Sequence, residues 1–124
     1  MEARAILVVE DDENLSEALA HTLRLEGYEP IVRPNGEAAL DYLRGNLPPP
    51  DLILLDLMMP MMDGVRFRSE QVKDVRLRGV PVVIVSARLD TPRMATRLEL
   101  PYLTKPFDAG VLLDTVRRYT LAAG

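Results

Sequence analysis

The chain has 124 residues, 48% of them apolar and 27% charged, with a formal charge of −4 and no cysteine. That size provides one domain with a real hydrophobic core, the acidic balance argues against nucleic-acid binding, which needs clustered excess base, and the lack of cysteine excludes disulfides, thiol catalysis and thiolate metal sites. The opening MEARAILVVEDD has an apolar stretch of only five residues running into acids, with no cleavage-like site, and no window approaches a membrane span, so a cytoplasmic protein without membrane contact is expected.

Ala5 to Val9, AILVV, reads as a buried strand that ends in the acids Glu10, Asp11, Asp12 and Glu13. Asn14 with Glu17 resembles a capping box, and Leu15, Ala18, Leu19 and Leu23 repeat with helical spacing until Gly27. Tyr28 to Arg33 is a second strand, placed at or near an edge by Pro30. Asn35-Gly36 opens a second helix with Ala39, Leu40 and Leu43 inward, ending at Gly45, and Pro48 to Pro50 forms a stiff connection.

Leu52 to Leu55 are apolar on consecutive positions, as in a strand covered on both sides. Asp56 sits at its carboxyl end, where open α/β sheets bind their ligands. After the turn of Met58-Met59-Pro60 and Asp63-Gly64, a helical stretch is expected to about Arg78, its thin apolar face formed by Val65, Val72 and Leu77. Val80 to Val85 is the next strand and ends in Ser86-Ala87. A short helix follows from Thr91, as cap, to Glu99, with Pro92 at its first position. Leu100 to Thr104 gives a fifth strand, and Asp108 to Leu121 a last helix with Leu112, Val116 and Tyr119 toward the core. Strand and helix alternating five times predict an α/β fold: a doubly wound, five-stranded parallel sheet with right-handed crossovers.

In that architecture the ends of four strands, carrying Glu10-Asp11, Asp56, Ser86 and Lys105, share one edge of the sheet. Clustered carboxylates raise one another's pKa values unless a cation intervenes, and a small all-oxygen site with room for water suits Mg²⁺. Lys105, one of two lysines beside thirteen arginines, adds a point charge, and Ser86 a hydroxyl. Such a site fits phosphoryl transfer to Asp56 as nucleophile, with Lys105 and Ser86 binding the equatorial oxygens.

At these residues the chain resembles the receiver domain of two-component response regulators, over nearly its whole length: ILVVEDDENL, PDLILLDLMMPMMDG, PVVIVSA and YLTKPF occur in order. The resemblance implies a flavodoxin-like sheet with strand order 2-1-3-4-5 and a receiver domain spanning 1–124. It implies that Asp56 is the phosphoacceptor and that Asp11 contacts Mg²⁺ directly and Glu10 through water. The Met58 backbone carbonyl becomes a further metal ligand, Ser86 the switch hydroxyl, Tyr102 the aromatic that changes rotamer, and Lys105 the phosphate-binding lysine before a cis bond to Pro106. Met58 and Arg88 would flank the acyl phosphate and set its lifetime. The implied donor is a phosphohistidine on a sensor histidine kinase or phosphotransfer protein, and the implied output is docking to a downstream protein target rather than nucleic-acid binding by this domain.

One stretch departs from that pattern. RLDTPRMATRLELPYLTKPF is about three residues short, with Leu100-Pro101 where receivers carry Gly-Ala. The chain stops soon after the fifth helix, so a single-domain regulator or an excised receiver is expected. His21 reads as a surface or packing residue, Asp12 and Glu13 as solvated acids at a helix start, and the methionines as packing groups. A haloacid-dehalogenase type phosphatase would need a second aspartate where Met58 stands, and no GxxxxGK[ST] or GxGxxG follows the first strand. An unphosphorylated receiver-like scaffold is the remaining alternative.

Overall fold

The apolar runs become the strands of one sheet. A computed structural model describes residues 3–45, 48–57 and 62–123, with side chains to residue 120. In it, β1 (Ala5–Val9), β2 (Glu29–Arg33), β3 (Leu52–Leu55), β4 (Val82–Ser86) and β5 (Tyr102–Thr104) alternate with α1 (Glu13–Leu25), α2 (Gly36–Gly45), α3 (Gly64–Lys73), α4 (Thr91–Leu98) and α5 (Ala109–Ala123). The strand order is β2-β1-β3-β4-β5 and every neighbouring pair is parallel. This is the expected doubly wound, flavodoxin-like architecture, with β2 and its Pro30 at an edge, where a missing N–H costs no ladder bond.

Successive strand residues face opposite sides of the sheet. Leu7, Val9, Ile53 and Leu55 therefore pack with Ala39, Leu40 and Leu43 of α2 and Phe67 of α3. Ile6, Val8, Leu54 and Val85 pack on the other side with Leu19 and Leu23 of α1 and Leu112 and Val116 of α5. Ile84 lies beneath α4 against Leu57 and Ala95. All four residues of β3 are buried, which is the reason its sequence shows no polar alternation.

Several element ends differ from the sequence expectation, each for a local reason. Asp12, not Asn14, caps α1: its side chain accepts the Leu15 N–H at 3.1 Å, and the buried stripe is Ser16, Leu19, Ala20 and Leu23, with Ala18 exposed. β2 begins at Glu29 instead of Tyr28, after Gly27 turns the chain at a φ of 88°. The helix after Gly64 ends at Lys73, short of Arg78, and buries Phe67, whereas Val65 and Val72 are exposed. The turn that follows is held by buried Gln71, whose Nε2 donates to the carbonyls of Leu77 and Val80 at 3.0 and 3.1 Å, so β4 starts only at Val82.

Thr91 is the first residue of α4 and not its cap; its hydroxyl donates to the Arg88 carbonyl at 2.7 Å, and Pro92 follows as the second residue. Glu99 ends that helix at a left-handed φ of 57°. The Leu100 N–H returns to the Ala95 carbonyl at 2.9 Å, and the Pro101 carbonyl accepts the Ile84 N–H at 2.9 Å. Leu100-Pro101 thus closes the short helix and feeds β5, which begins at Tyr102 and not at Leu100. α5 begins at Ala109, one residue after Asp108, whose carboxylate accepts the Val111 N–H at 2.8 Å.

Candidate functional site

Backbone bonds carry the sheet one residue past its strands and so bring the acids together. The Asp56 N–H donates to the Val9 carbonyl at 3.0 Å, setting Asp56 beside Glu10, and the Lys105 N–H donates to the Ser86 carbonyl at 2.8 Å. The peptide bond from Lys105 to Pro106 is cis. Gly64, the first residue of α3, lies so close to this edge that a Cβ there would stand 2.6 Å from the Asp56 carbonyl oxygen and 2.9 Å from Leu57 Cα. Only glycine allows that approach without displacing the backbone of Asp56.

Glu10, Asp11 and Asp56 each present a carboxylate oxygen, all within 4.8 Å of one another, with Glu10 and Asp56 buried and Asp11 exposed. Lys105 Nζ donates to Glu10 Oε1 at 2.6 Å and lies 3.7 Å from Asp56 Oδ2. The other oxygen of Glu10 accepts the Asp12 N–H at 3.2 Å. Burial pushes the Glu10 carboxyl up from an ordinary value near 4.5 to about 7; the Lys105 and Asp12 hydrogen bonds pull it down, and the charge of Asp56 adds to the rise.

Three oxygen donors, one of them open to solvent, fit a hard cation that keeps several waters. Asp11, the exposed member of the three, offers such an ion its most open carboxylate. Beside the acids, Asp56, Ser86, Arg88 and Lys105 line an open cavity of about 280 Å³. Ser86 is buried, and its hydroxyl oxygen accepts the Arg88 N–H at 3.2 Å.

Asp56, Glu10, Asp11, Ser86 and Lys105 thus meet as the topology demands. Tyr102 stands apart from them at the head of β5, paired with Ile84 and 42% exposed; strand parity puts it on the α4 side of the sheet with Ser86. Met58 lies outside the described residues. One participant escaped the sequence reading: Asp90, which grips Arg88 through two hydrogen bonds. The only signal was a pair of opposite charges two positions apart after a strand end, a pattern too common to single out. His21 is exposed on α1, on the surface as expected.

The sequence matches the response regulator receiver domain family over residues 6–117. It is similar to the sensory transduction protein RegX3 of Mycobacterium tuberculosis, 40% identical over 118 residues that make up 91% of this chain and 49% of that protein. It is also similar to the transcriptional regulatory protein CseB of Streptomyces avermitilis, 38% identical over 119 residues, 90% of this chain and 47% of that protein. The chain spans about half the length of these relatives. Among solved structures, the receiver domain of a signal transduction histidine kinase from Syntrophus aciditrophicus matches with a TM-score of 0.86 at 33% identity, over 97% of this chain and 92% of that one. With its parallel sheet and the acids gathered at its carboxyl edge, the chain belongs to the response regulator receiver domains, the signalling domains of two-component systems.

Proposed function

We propose that the chain is a phosphoacceptor: Asp56 takes a phosphoryl group from a phosphohistidine on a sensor kinase or phosphotransfer protein, and the modified domain signals by changed docking to a downstream protein. The observation that carries this reading is the position of Lys105, whose ammonium lies between Glu10 and Asp56 and lines the same cavity as Ser86. An Asp56 oxygen forms the new P–O bond while the donor's P–N bond breaks, and the leaving imidazole takes the electron pair. No proton need leave Asp56.

The remaining roles complete this reading. Lys105 and the Ser86 hydroxyl bind the equatorial oxygens of the transferred group, and Lys105 exchanges part of its bond to Glu10 for one to the phosphoryl group. Glu10 and Asp11, with Asp56 and the Met58 carbonyl, would hold Mg²⁺, which when bound screens the charge of the incoming group and orients it. Ser86 and Tyr102, on one side of the sheet, would carry the change toward α4. The domain turns over no substrate beyond this self-catalysed transfer and slow hydrolysis of its own acyl phosphate, and with a charge of −4 it makes no nucleic-acid contact itself. Its place of action is the cytoplasm, where sensor kinases present their phosphohistidine; among the described residues no helix is long and apolar enough to cross a membrane.

Incubation with acetyl phosphate and Mg²⁺ followed by intact mass measurement tests the reading. One added phosphoryl group in the wild type, absent without Mg²⁺ and absent in Asp56→Asn, is the expected result. No addition to the wild type would instead favour a receiver-like scaffold that works without phosphorylation.

A further inference from the structure

The loop between β4 and α4 holds a feature that the phosphoacceptor reading does not use. Arg88 Nε donates to Asp90 Oδ1 at 2.8 Å, and a terminal nitrogen of the same guanidinium donates to Asp90 Oδ2 at 2.7 Å. This is the two-pronged pairing in which arginine binds a carboxylate most specifically. The pair is half exposed. Asp90 occupies the cap position of α4, yet its side chain makes no capping bond, so its carboxylate is committed to Arg88.

The backbone of Arg88 is pinned at both ends. Its N–H donates to the Ser86 hydroxyl oxygen at 3.2 Å and its carbonyl accepts the Thr91 hydroxyl at 2.7 Å. Only the side chain is left to move. Arg88 lines the cavity of Asp56, Ser86 and Lys105, whereas Asp90 is not among its lining residues. A phosphoryl group on Asp56 would offer the guanidinium a dianion with the same forked geometry as the carboxylate that now holds it.

We propose, resting on the phosphoacceptor reading of Asp56, that Asp90 is a positioning residue: it holds the Arg88 guanidinium in an ion pair with which a phosphoryl group in the cavity must compete, and so lowers the affinity of the site for that group. The carboxylate of Asp63, the cap of α3, also adds to the negative field that Arg88 feels. Asp90 remains the only one of the two that bonds it.

The test is the affinity of the whole chain for beryllium fluoride with Mg²⁺, a stable mimic of a phosphorylated carboxylate, measured by calorimetry and fluorine NMR. Asp90→Asn is expected to bind roughly two- to fivefold tighter than wild type, the range set by an exposed ion pair. Asp90→Ser, which keeps a residue suited to a helix start, is expected to show the same gain, and neither substitution is expected to act when Arg88 is already Met. An unchanged affinity in both Asp90 variants, or an equal gain in the Arg88→Met background, overturns the proposal while leaving the phosphoacceptor reading standing. If the wild type takes no beryllium fluoride, the reading of Asp56 falls and the proposal falls with it.

Discussion

Lys105 Nζ lies 2.6 Å from Glu10 Oε1, a contact that joins residues 95 positions apart at the carboxyl edge of the sheet. Glu10 is almost wholly buried and Lys105 about four-fifths so. Breaking such a pair from one side strands a charge, which is costlier than the pair itself is stabilising.

Lys105→Gln is therefore expected to lower stability by about 1–3 kcal/mol, the cost of a buried charged group losing its partner. Glu10→Gln in the same chain should restore much of that loss, because it supplies the uncharged side chain that the unpaired carboxyl, already pushed up to about 7 by burial, reaches only by taking up a proton. Urea denaturation of the four proteins in the cycle checks both statements, and strictly additive effects would show that the contact carries no coupling.

Mg²⁺ is expected to raise the melting temperature, since a cation that binds only the folded carboxylate cluster stabilises it, by about 2.7 kcal/mol at a free concentration one hundred times its Kd. Asp11→Asn should lose most of the gain. Thermal unfolding with and without the ion decides it, and an equal gain in the variant would place the cation elsewhere.

Gly64→Ala puts a methyl group 2.6 Å from the Asp56 carbonyl oxygen. Backbone, not a flexible side chain, would have to give, and overpacking of that kind costs about 1–3 kcal/mol. Chemical denaturation should register the loss, and phosphorylation by acetyl phosphate should slow because the nucleophile has shifted. Wild-type stability and rate together would show that the close approach is not needed.

Asp90 also gives a pH prediction. The Arg88 guanidinium beside it holds its carboxyl below the usual carboxylate range. A depressed folded-state pKa means that the pair stabilises the fold above the unfolded value near about 4 and that the contribution is lost as pH falls through the lower folded value. Carbon-detected NMR titration is expected to find the Asp90 midpoint below that of an ordinary aspartate, and to find it restored in Arg88→Met.

The parts of this molecule that the sequence displays best are those in which one physical requirement dominates. Leu52 to Leu55 must be apolar on both faces, so β3 and the position of Asp56 at its end could be read directly. Lys105 and Glu10 became neighbours only once the strands were ordered, since nothing local links residues 95 apart. What escaped detection depends on single side chains doing unexpected things. Gln71 is polar yet fully buried, because it satisfies the carbonyls of a turn. Phe67 carries the buried face of α3 almost alone among charged neighbours, so the helical period there is too weak to find. Asp12 outcompetes Asn14 as a cap because both side chains suit the role and only the path of the loop chooses between them.

Reduction of the phosphorylated chain with borohydride, followed by peptide mapping, tests whether Asp56 itself bears the phosphoryl group. Homoserine is expected at position 56 and at no other acid, with none formed when Mg²⁺ is withheld. Reduction at Glu10, Asp11 or any other carboxylate, or no reduction at position 56 in a chain that has gained phosphoryl mass, would contradict it.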